Sequence, residues 1–567
     1  MSLGLDAPAG PEAPTAGVAA RVARLLPRRS DWAHAAPGRD LSAGLMVGLV
    51  ALPLALGFGA SSGMGATAGL TTAIVAGAVA AVFGGSRVQV SGPTGAMTVV
   101  LVPIIATYGS RGVLFVGLLA GAILIALGYL GAGRLIRYVP IPVVEGFTVG
   151  IGVIIALQQV PAALGVDVHA TKVVVLAADA VRAWVAAPVW APVGMAAGVA
   201  VLTLALARWR PRWPGSLLAV VAAAVANAVF GWGTVSIGHL PSGLTRPSLP
   251  GVPVGQLGNL VLPALAVAAL AALESLLSAT VADAMSVGQR HDSDRELFGQ
   301  GLANLAAPLF GGIPATAAIA RTAVNVRSGA TSRLASLTHA VVLLLLVLFG
   351  ARWVGEIPLA ALAGVLVATA TQMVKVSSLT ALLRSTRGDA VVLVITAVAT
   401  VAFDLVTAVL IGLVLAGFFA LQQTARAATF DEMPLDEADH TDEERSLADE
   451  QIVAYRIDGP LFFAVAHDFL LELADVTRVR VVVLRLSHVT TIDATGAHVL
   501  ADTISRLERR RITVLLSGVQ PQHERVLREL GVYERIAHER HSFASTPEAI
   551  AHARLHASRV PHDPAPA

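Results

Sequence analysis

The sequence predicts an α-helical polytopic membrane protein of fourteen spans, arranged as seven plus seven in inverted halves, with a small cytoplasmic α/β domain after the last span. Three observations predict it. Of 567 residues, 55% are hydrophobic and only 14% are charged, against about 25% charged in an ordinary soluble domain. Run after run reaches about 20 apolar residues, the length that crosses a bilayer, and the mean hydropathy is +0.71. Basic residues crowd alternate loops, and the apolar runs end near residue 426, where a strand and helix alternation begins.

The first 40 residues are rich in Ala, Pro and Arg and lack the apolar core of a signal peptide. They read as a cytoplasmic tail with Arg21, Arg24, Arg28 and Arg29 ahead of the first span. The transport-sized region, 41–426, holds spans at 41–62, 66–83, 88–108, 111–131, 141–160, 185–207 and 215–235. After a Pro/Gly-rich loop at 241–257 come 259–286, 295–310, 314–329, 332–352, 357–377, 388–403 and 405–425. With the N-terminus inside, the cytoplasmic loops carry thirteen basic residues and the opposite loops five, as the positive-inside rule requires. Both termini are therefore expected in the cytoplasm of a cell whose plasma (inner) membrane holds the chain. Seven spans is an odd number, so the second half (258–426) is inverted relative to the first (41–257), a transporter signature.

Residues 427–450 read as an acidic, solvated linker; 431–450 hold ten acidic residues and one arginine. Beyond it, 451–560 contains QIVAYRID, GPLFFAVA, RVVVLRL and ITVLLSGV as short buried strands, with helical patterns at about 467–476, 494–511, 521–536 and 547–558. That alternation predicts a small α/β domain.

Two segments break the membrane pattern. VQVSGPTGAM at Val88–Met97 lies in span 3, and FGGIPATAAIAR at Phe310–Arg321 lies in span 10. Each gives an extended piece, then Gly and Pro, then small residues, then a helix-compatible run. Proline suits the first turn of a helix, so each reads as a strand crossing half the membrane and a half-helix starting at its proline. Irregular backbone at that depth survives only buried in protein or lining a wet cavity. The inversion aims the two helix N-termini at one another. Each carries free N–H groups and about half a positive charge, so together they form an anion site built from backbone. Gly92, Thr94, Gly95, Ala96, Ala317, Ala318 and Ala320 are small enough to admit the ligand closely.

These segments, with ALPLALGFGASSGM at 51–64, VPIPVVEGFTVGIG at 139–152 and ALESLLSATVADAMSVGQRHDSDRELFGQGLANL at 272–305, resemble the sulfate permease (SulP) family of anion transporters. TTIDATGAHVL at 490–500 resembles a STAS domain. The resemblance implies a core domain (spans 1–4 and 8–11), a gate domain (5–7 and 12–14), a homodimer, and elevator-like motion of core against gate. It implies a substrate site at Phe58, at Thr94, Gly95 and Ala96, and at Ala318, Ile319, Ala320 and Arg321. Some relatives carry serines where this chain has Ala318 and Ala320, and a polar residue where it has Leu54, so detailed specificity does not carry over.

Glu274 falls near the middle of span 8, where a charged carboxylate costs roughly 2.5–3.5 kcal/mol. The resemblance places the family's coupling carboxylate here, with Ser278 one turn along. Proton coupling is the reading, with Na⁺ as the alternative, although sodium needs several oxygen ligands. Arg321 either strengthens the positive field at the site or pairs with a core carboxylate such as Glu274. Glu145 reads as interfacial, Asp283 as solvated or paired, and His339, Gln158 and Gln159 as packing residues. Thr495, in Asp493-Ala494-Thr495-Gly496, matches the position phosphorylated in soluble STAS relatives, and equally reads as part of a helix cap.

The expected function is secondary active transport of a small anion of the sulfate, bicarbonate or dicarboxylate class across a lipid bilayer. A membrane-anchored STAS signalling protein is the alternative from another class, and a nucleobase permease the alternative within transport. No catalytic constellation or nucleotide-binding motif appears, so enzyme activity and ATP-driven transport are not expected. No cofactor, metal or nucleic-acid partner is expected, and the absence of cysteine excludes thiolate sites and disulfides.

Overall fold

The computed structural model describes residues 18–32, 35–170, 172–211, 213–249, 251, 257–286, 290–403, 405–426, 429–432, 451–461, 479–536 and 541–559. The chain divides into two compact units, Met1–Val414 and Leu415–Ala567. In chain order the elements begin α1 (Val18–Leu25), α2 (Pro37–Ser61), α3 (Ala66–Phe83), β1 (Ser91–Gly92), α4 (Gly95–Leu130), α5 (Ile141–Gln158) and α6 (Val160–Leu164). They continue α7 (Val173–Ala186), α8 (Trp190–Trp209), α9 (Gly215–Phe230), α10 (Leu257–Met285), α11 (Ser293–Leu309), β2 (Thr316–Ala317) and α12 (Ile319–Arg327). Next are α13 (Arg333–Gly355), α14 (Leu359–Met373), α15 (Val376–Ser385), α16 (Arg387–Ala402) and α17 (Leu405–Arg426).

Each of the fourteen sequence segments carries a helix or half-helix, spans 3 and 4 being one helix, α4, broken at Gly109. Gly109 has φ 67° and ψ −175°, a combination open essentially to glycine alone. Among the described residues, nine helices are long and apolar enough to cross a membrane, and α9 is a shorter apolar helix. The remaining segments are shorter, and α12 spans only nine residues. Three helices lie where the sequence reading placed loop: α6 in 160–164, past the end of span 5, α7 in 173–186, and α15 in 376–385, past the end of span 12.

Helix ends are fixed locally. Asp292 caps α11 by accepting from the N–H groups of Asp294 and Arg295 at 3.1 Å each. Ser332 caps α13 through Leu334 N–H at 3.2 Å. Asp40, fully buried near the start of α2, accepts from Thr331 N–H (2.7 Å), Ser332 N–H (3.1 Å) and Ser332 Oγ (2.7 Å). It thus ties the start of the first span to that of the eleventh. Just before α2, buried Asp31 accepts from Arg295 Nη2 at 2.6 Å and from Arg28 N–H at 2.7 Å. Burial pushes the Asp31 carboxyl up, but the Arg295 hydrogen bond, the Arg28 N–H and the charges of Arg295 and Arg333 outweigh it. Its pKa therefore lies below the ordinary aspartate value.

Packing sorts the first unit into two helix sets. Helices α2, α3, α4, α10, α11, α12 and α13 pack on one another, and α5, α8, α9, α14 and α16 on one another, with α14 against α2 and α5 against α4. In a membrane, where apolar side chains gain little by leaving lipid, small residues bring helices together. A Cβ added at Gly121 of α4 would sit 2.8 Å from the Gly301 carbonyl oxygen of α11.

The second unit contains β3 (Thr429–Glu432), β4 (Ile452–Leu461), β5 (Val481–Arg485), β6 (Val489–Ile492), α18 (Ala494–Arg509), β7 (Thr513–Ser517), α19 (Pro521–Glu529), β8 (Ser542–Phe543) and α20 (Thr546–Arg559). The sheet order is β3-β4-β5-β7-β8, with β6 beside β4; β3 is antiparallel to β4 and the other pairs are parallel. β5 and β7 carry continuous apolar runs (VVVL, VLL) because helices cover both faces. Ala497, Leu500, Ile504 and Leu507 of α18 pack on one side, Ala549 and Ala553 of α20 in a separate core on the other.

Two corrections follow. Residues 429–432, assigned to the acidic linker, form a strand paired with β4, because any four-residue extended segment can use a free sheet edge whatever its charge. QIVAYRID and the start of GPLFFAVA are one strand, β4, continuous through Gly459. The remainder of the linker, the expected helix at 467–476 and residues 1–17 of the tail lie outside the described residues.

Candidate functional site

The two broken segments meet. β1 and β2 pair antiparallel in the register Ser91 with Ala317 and Gly92 with Thr316, extended by Ala318 N–H donating to Val90 C=O at 3.0 Å. From this short ladder α4 and α12 leave in opposite directions, so both helix N-termini lie at it. The prolines do not start the helices as the sequence reading has it. Thr94 is the N-cap of α4, with φ −128° and ψ 160°, which leaves Pro93 one residue upstream. Ala318 is the N-cap of α12, which leaves Pro314 before β2. The residue preceding a proline is held extended, so these prolines keep the leader segments in strand geometry instead.

Thr94 has two contacts. Its Oγ1 accepts from Met97 N–H at 3.3 Å and donates to Glu274 Oε2 at 2.8 Å. The N–H groups of Gly95 and Ala96 then remain without an acceptor within the helix. Phe58 of α2 is buried against this tip: a Cβ at Gly95 would lie 3.1 Å from Phe58 Cε1 and 2.9 Å from Ile155 Cγ1 of α5. On the other tip Ala318 and Ile319 are half-buried and Ala320 is exposed. Phe58, Thr94, Gly95, Ala96, Ala318 and Ile319 therefore cluster around the ladder, with Glu274 hydrogen-bonded to the cap of one helix.

Arg321 is buried, at 1% exposure. It does not form an ion pair with Glu274; its Nη2 donates to the Pro93 carbonyl at 2.7 Å, crossing from the second half-helix to the leader of the first. Its Nη1 has no hydrogen-bond partner among the described residues. Gly92 makes room for this: a Cβ there would be 2.6 Å from Arg321 Nη1. Ser278 is not hydrogen-bonded to Glu274; its Oγ donates to Thr322 Oγ1 at 3.1 Å, and Thr322 Oγ1 accepts from Val90 N–H at 3.1 Å.

The residues that hold the extended leaders went unread in the sequence. Asn304 of α11 accepts from Ala315 N–H and donates to Ala315 C=O, each at 2.8 Å. Ser275 Oγ accepts from Ala317 N–H at 3.2 Å and lies 3.0 Å from Thr316 Oγ1. Gln300 donates to Ser91 Oγ at 2.6 Å, Asn325 to Val88 C=O at 2.7 Å and Ser336 to Gln89 C=O at 2.7 Å. Their signal was an amide or hydroxyl inside an otherwise apolar span. An extended backbone surrounded by helices needs such partners for peptide groups that the ladder leaves open.

Of the other singled-out polar residues, Asp283, Glu145 and Gln159 have side-chain partners, whereas Gln158 Nε2 and both ring nitrogens of His339 are buried with none among the described residues. Asp283 accepts His291 at 2.7 Å, Glu145 accepts from Ser378 Oγ at 2.9 Å, and Gln159 exchanges hydrogen bonds with Ser61. His339 is fully buried, beside Gly77. In the second unit Asp493 is the N-cap of α18, accepting from Gly496 N–H at 2.7 Å, and Thr495 is exposed in the first turn.

Residues 38–396 match the model of the sulfate permease family, and residues 447–549 the model of the STAS domain. The chain belongs to the sulfate permease family. It is 35% identical over 515 residues to YvdB of Bacillus subtilis, provisionally named a sulfate transporter, covering 88% of this chain and 94% of that one. It is 30% identical over 534 residues to the bicarbonate transporter BicA of Synechocystis, covering 91% and 94%. The solved transmembrane domain of a cyanobacterial BicA is 31% identical, with a TM-score of 0.60, covering 67% of this chain and 97% of that one. The murine Slc26a9 anion transporter in its inward-facing state gives a TM-score of 0.83 at 19% identity over 96% of both chains, a likeness of fold. The chain is thus a membrane protein of an anion-transporter family with a C-terminal STAS domain.

Proposed function

We propose that the chain is a secondary active transporter that holds a small anion between the N-termini of α4 and α12. The observation that carries this reading is the β1–β2 pair, which puts two helix N-termini at one place and leaves small residues around them. Phe58 forms the apolar wall; the N–H groups of Gly95 and Ala96, past the Thr94 cap, offer one set of donors, and those of Ile319 and Ala320, past the Ala318 cap whose own N–H is held by Val90 C=O, offer the other. Arg321 Nη1, buried and without a protein acceptor, adds the positive charge that a desolvated anion requires. Sulfate and bicarbonate are the first candidates, from the names of the relatives.

Glu274 is the coupling group. A carboxylate hydrogen-bonded to Thr94 at the anion site repels the anion, so proton uptake at Glu274 favours anion entry. Coupling to Na⁺, with Glu274 and Ser278 contributing oxygens, is the competing arm. The α2–α3–α4–α10–α11–α12–α13 set moves as a core against the α5–α8–α9–α14–α16 gate in an elevator-like cycle. The protein acts as a homodimer in the plasma membrane with both termini cytoplasmic, and Thr495 is a phosphorylation position on the STAS domain.

The test is uptake of labelled sulfate and bicarbonate into proteoliposomes under imposed pH or Na⁺ gradients. Wild-type uptake follows the pH gradient, and Glu274→Gln abolishes that dependence while the protein stays monodisperse. Uptake driven by Na⁺ alone would replace the proton with sodium. No uptake of any anion would transfer the weight to a signalling role for the STAS domain.

A further inference from the structure

The second unit contains a cluster that anion transport does not use. His541, immediately before β8, and His552 and His556 of α20 each offer a ring nitrogen, and these atoms lie within 4.8 Å of one another. His541 is buried and the other two are half-buried. The ring centroids are 5.5 Å apart for His541 and His552, 5.0 Å for His541 and His556, and 5.0 Å for His552 and His556.

We propose that these three histidines form a binding site for a late first-row divalent transition cation of the zinc type. His552 and His556 are four residues apart and so share one helix face. Their face is set by Ala549 and Ala553, which are fully buried against Val481, Val483 and Leu515 of the sheet. The same packing brings the helix beside the segment entering β8, which pairs parallel with β7 through Leu516 and Ser542. The third imidazole therefore comes from a part of the chain that the fold itself holds in place.

The donor set selects the metal. Three neutral imidazoles suit zinc, copper and nickel, and do not suit calcium or magnesium, which take oxygen ligands. Zinc–nitrogen bonds of about 2.0–2.1 Å in a tetrahedral site put the nitrogens roughly 3.3 Å apart. Side-chain rotation of the two half-buried rings closes the distance from 4.8 Å. Three protein ligands leave a fourth position for water or an outside ligand. Protonation of all three rings would place three positive charges together, whereas one cation shared among neutral rings avoids that repulsion. The bound ion would clip α20 to the segment entering β8, so the last helix of the domain would hold to its sheet more firmly when metal is present.

The test uses the full chain, free of any histidine tag, in detergent micelles, with zinc chloride as the probe and a chromophoric chelator as competitor. Wild type is expected to take up one zinc that His552→Gln/His556→Gln does not. Each single variant is expected to bind at least as weakly as the roughly 10–100-fold loss seen when only a ligand's hydrogen-bond partner is removed. In wild type, zinc is expected to slow hydrogen exchange across residues 546–559, a readout that needs no variant to fold. Equal zinc uptake by wild type and variants, or exchange in 546–559 unchanged by saturating zinc, overturns the site.

Discussion

Asn304→Leu isolates the scaffolding of the proposed anion site. The Asn304 side chain satisfies both peptide groups of Ala315, accepting its N–H and donating to its C=O at 2.8 Å each. Ala315 is fully buried and immediately precedes β2. Leucine keeps the branching and heavy-atom count and adds no cavity, although its methyl groups are bulkier than the amide and any overpacking adds to the cost. What changes is that two buried peptide groups lose their partners. At roughly 1–3 kcal/mol for each stranded group, the cost is about 2–6 kcal/mol. Unfolding in mixed detergent micelles measures it, and proteoliposome uptake measures its consequence. Freed from Asn304, the β2 leader no longer fixes the α12 N-terminus, so anion uptake should fall at matched protein content. A stability change within about 0.5 kcal/mol, the range of ordinary surface substitutions, together with full uptake, would refute the argument that α11 side chains hold the site's backbone.

Gly92→Ala puts a Cβ 2.6 Å from Arg321 Nη1 and 3.2 Å from the Ala73 Cα. It should push Arg321 off the Pro93 carbonyl and weaken equilibrium anion binding by about 10- to 100-fold, given roughly 1.5–3 kcal/mol for a charged hydrogen bond. Gly109→Ala, at φ 67°, should cost roughly 1–3 kcal/mol of stability through backbone strain and leave that binding unchanged, since the break lies between spans and away from the ladder. Asp31→Asn removes one partner of a buried pair whose side chains are 7% and 11% exposed, and should cost about 3–5 kcal/mol near neutral pH. Folding lowers the Asp31 pKa, so its contribution is fully present above the unfolded value of about 3.9 and is lost as pH falls through the lower folded value. Thermal unfolding between neutral and acid pH should therefore show wild type and Asp31→Asn converging only below about pH 4.

Apolar run length located a helix in each segment, and span 2, at 66–83, agrees with α3 at both ends, but among the described residues only nine helices are long and apolar enough to cross a membrane. The broken segments were legible as well, since VQVSGPTGAM and GGIPATAAIAR each place an extended piece, Gly, Pro and small residues together, whereas lone prolines such as Pro53 and Pro103 sit within continuous helix. Read from proline alone, the two half-helix starts fall two and five residues early, because proline was given the N1 role; the family resemblance puts them at Thr94–Ala96 and Ala318–Arg321, where α4 and α12 begin. Thr94 and Ala318 are the caps, and the prolines act upstream. α7 was missed because its sequence, VVVLAADAVRAWVA, carries Asp179 and Arg182 in mid-run. Those residues pair with each other at 3.0 Å on its exposed side. β3 was missed because pairing at a sheet edge uses backbone alone, which charge composition does not report.

The polar residues of α10, α11, α12 and α13 that hold the leaders were the largest gap, and the reason bears on specificity. An anion site made of peptide N–H groups requires that those groups stay free while every neighbouring peptide group is satisfied. Asn304, Ser275, Asn325 and Ser336 satisfy peptide groups of the leaders and Gln300 holds the Ser91 hydroxyl, and none of them belongs to the tips. The tips can then consist of glycine and alanine, residues with no chemistry of their own to read. Exchange of Ala318 or Ala320 for serine would add a donor at a tip without disturbing the leaders, because Ala318 is half-buried and Ala320 exposed. Such a change is expected to alter the preference between sulfate and bicarbonate while leaving stability within about 0.5 kcal/mol. Competition between the two anions during proteoliposome uptake measures that preference. An unchanged preference in both serine variants would remove the α12 tip from the site that reads the substrate.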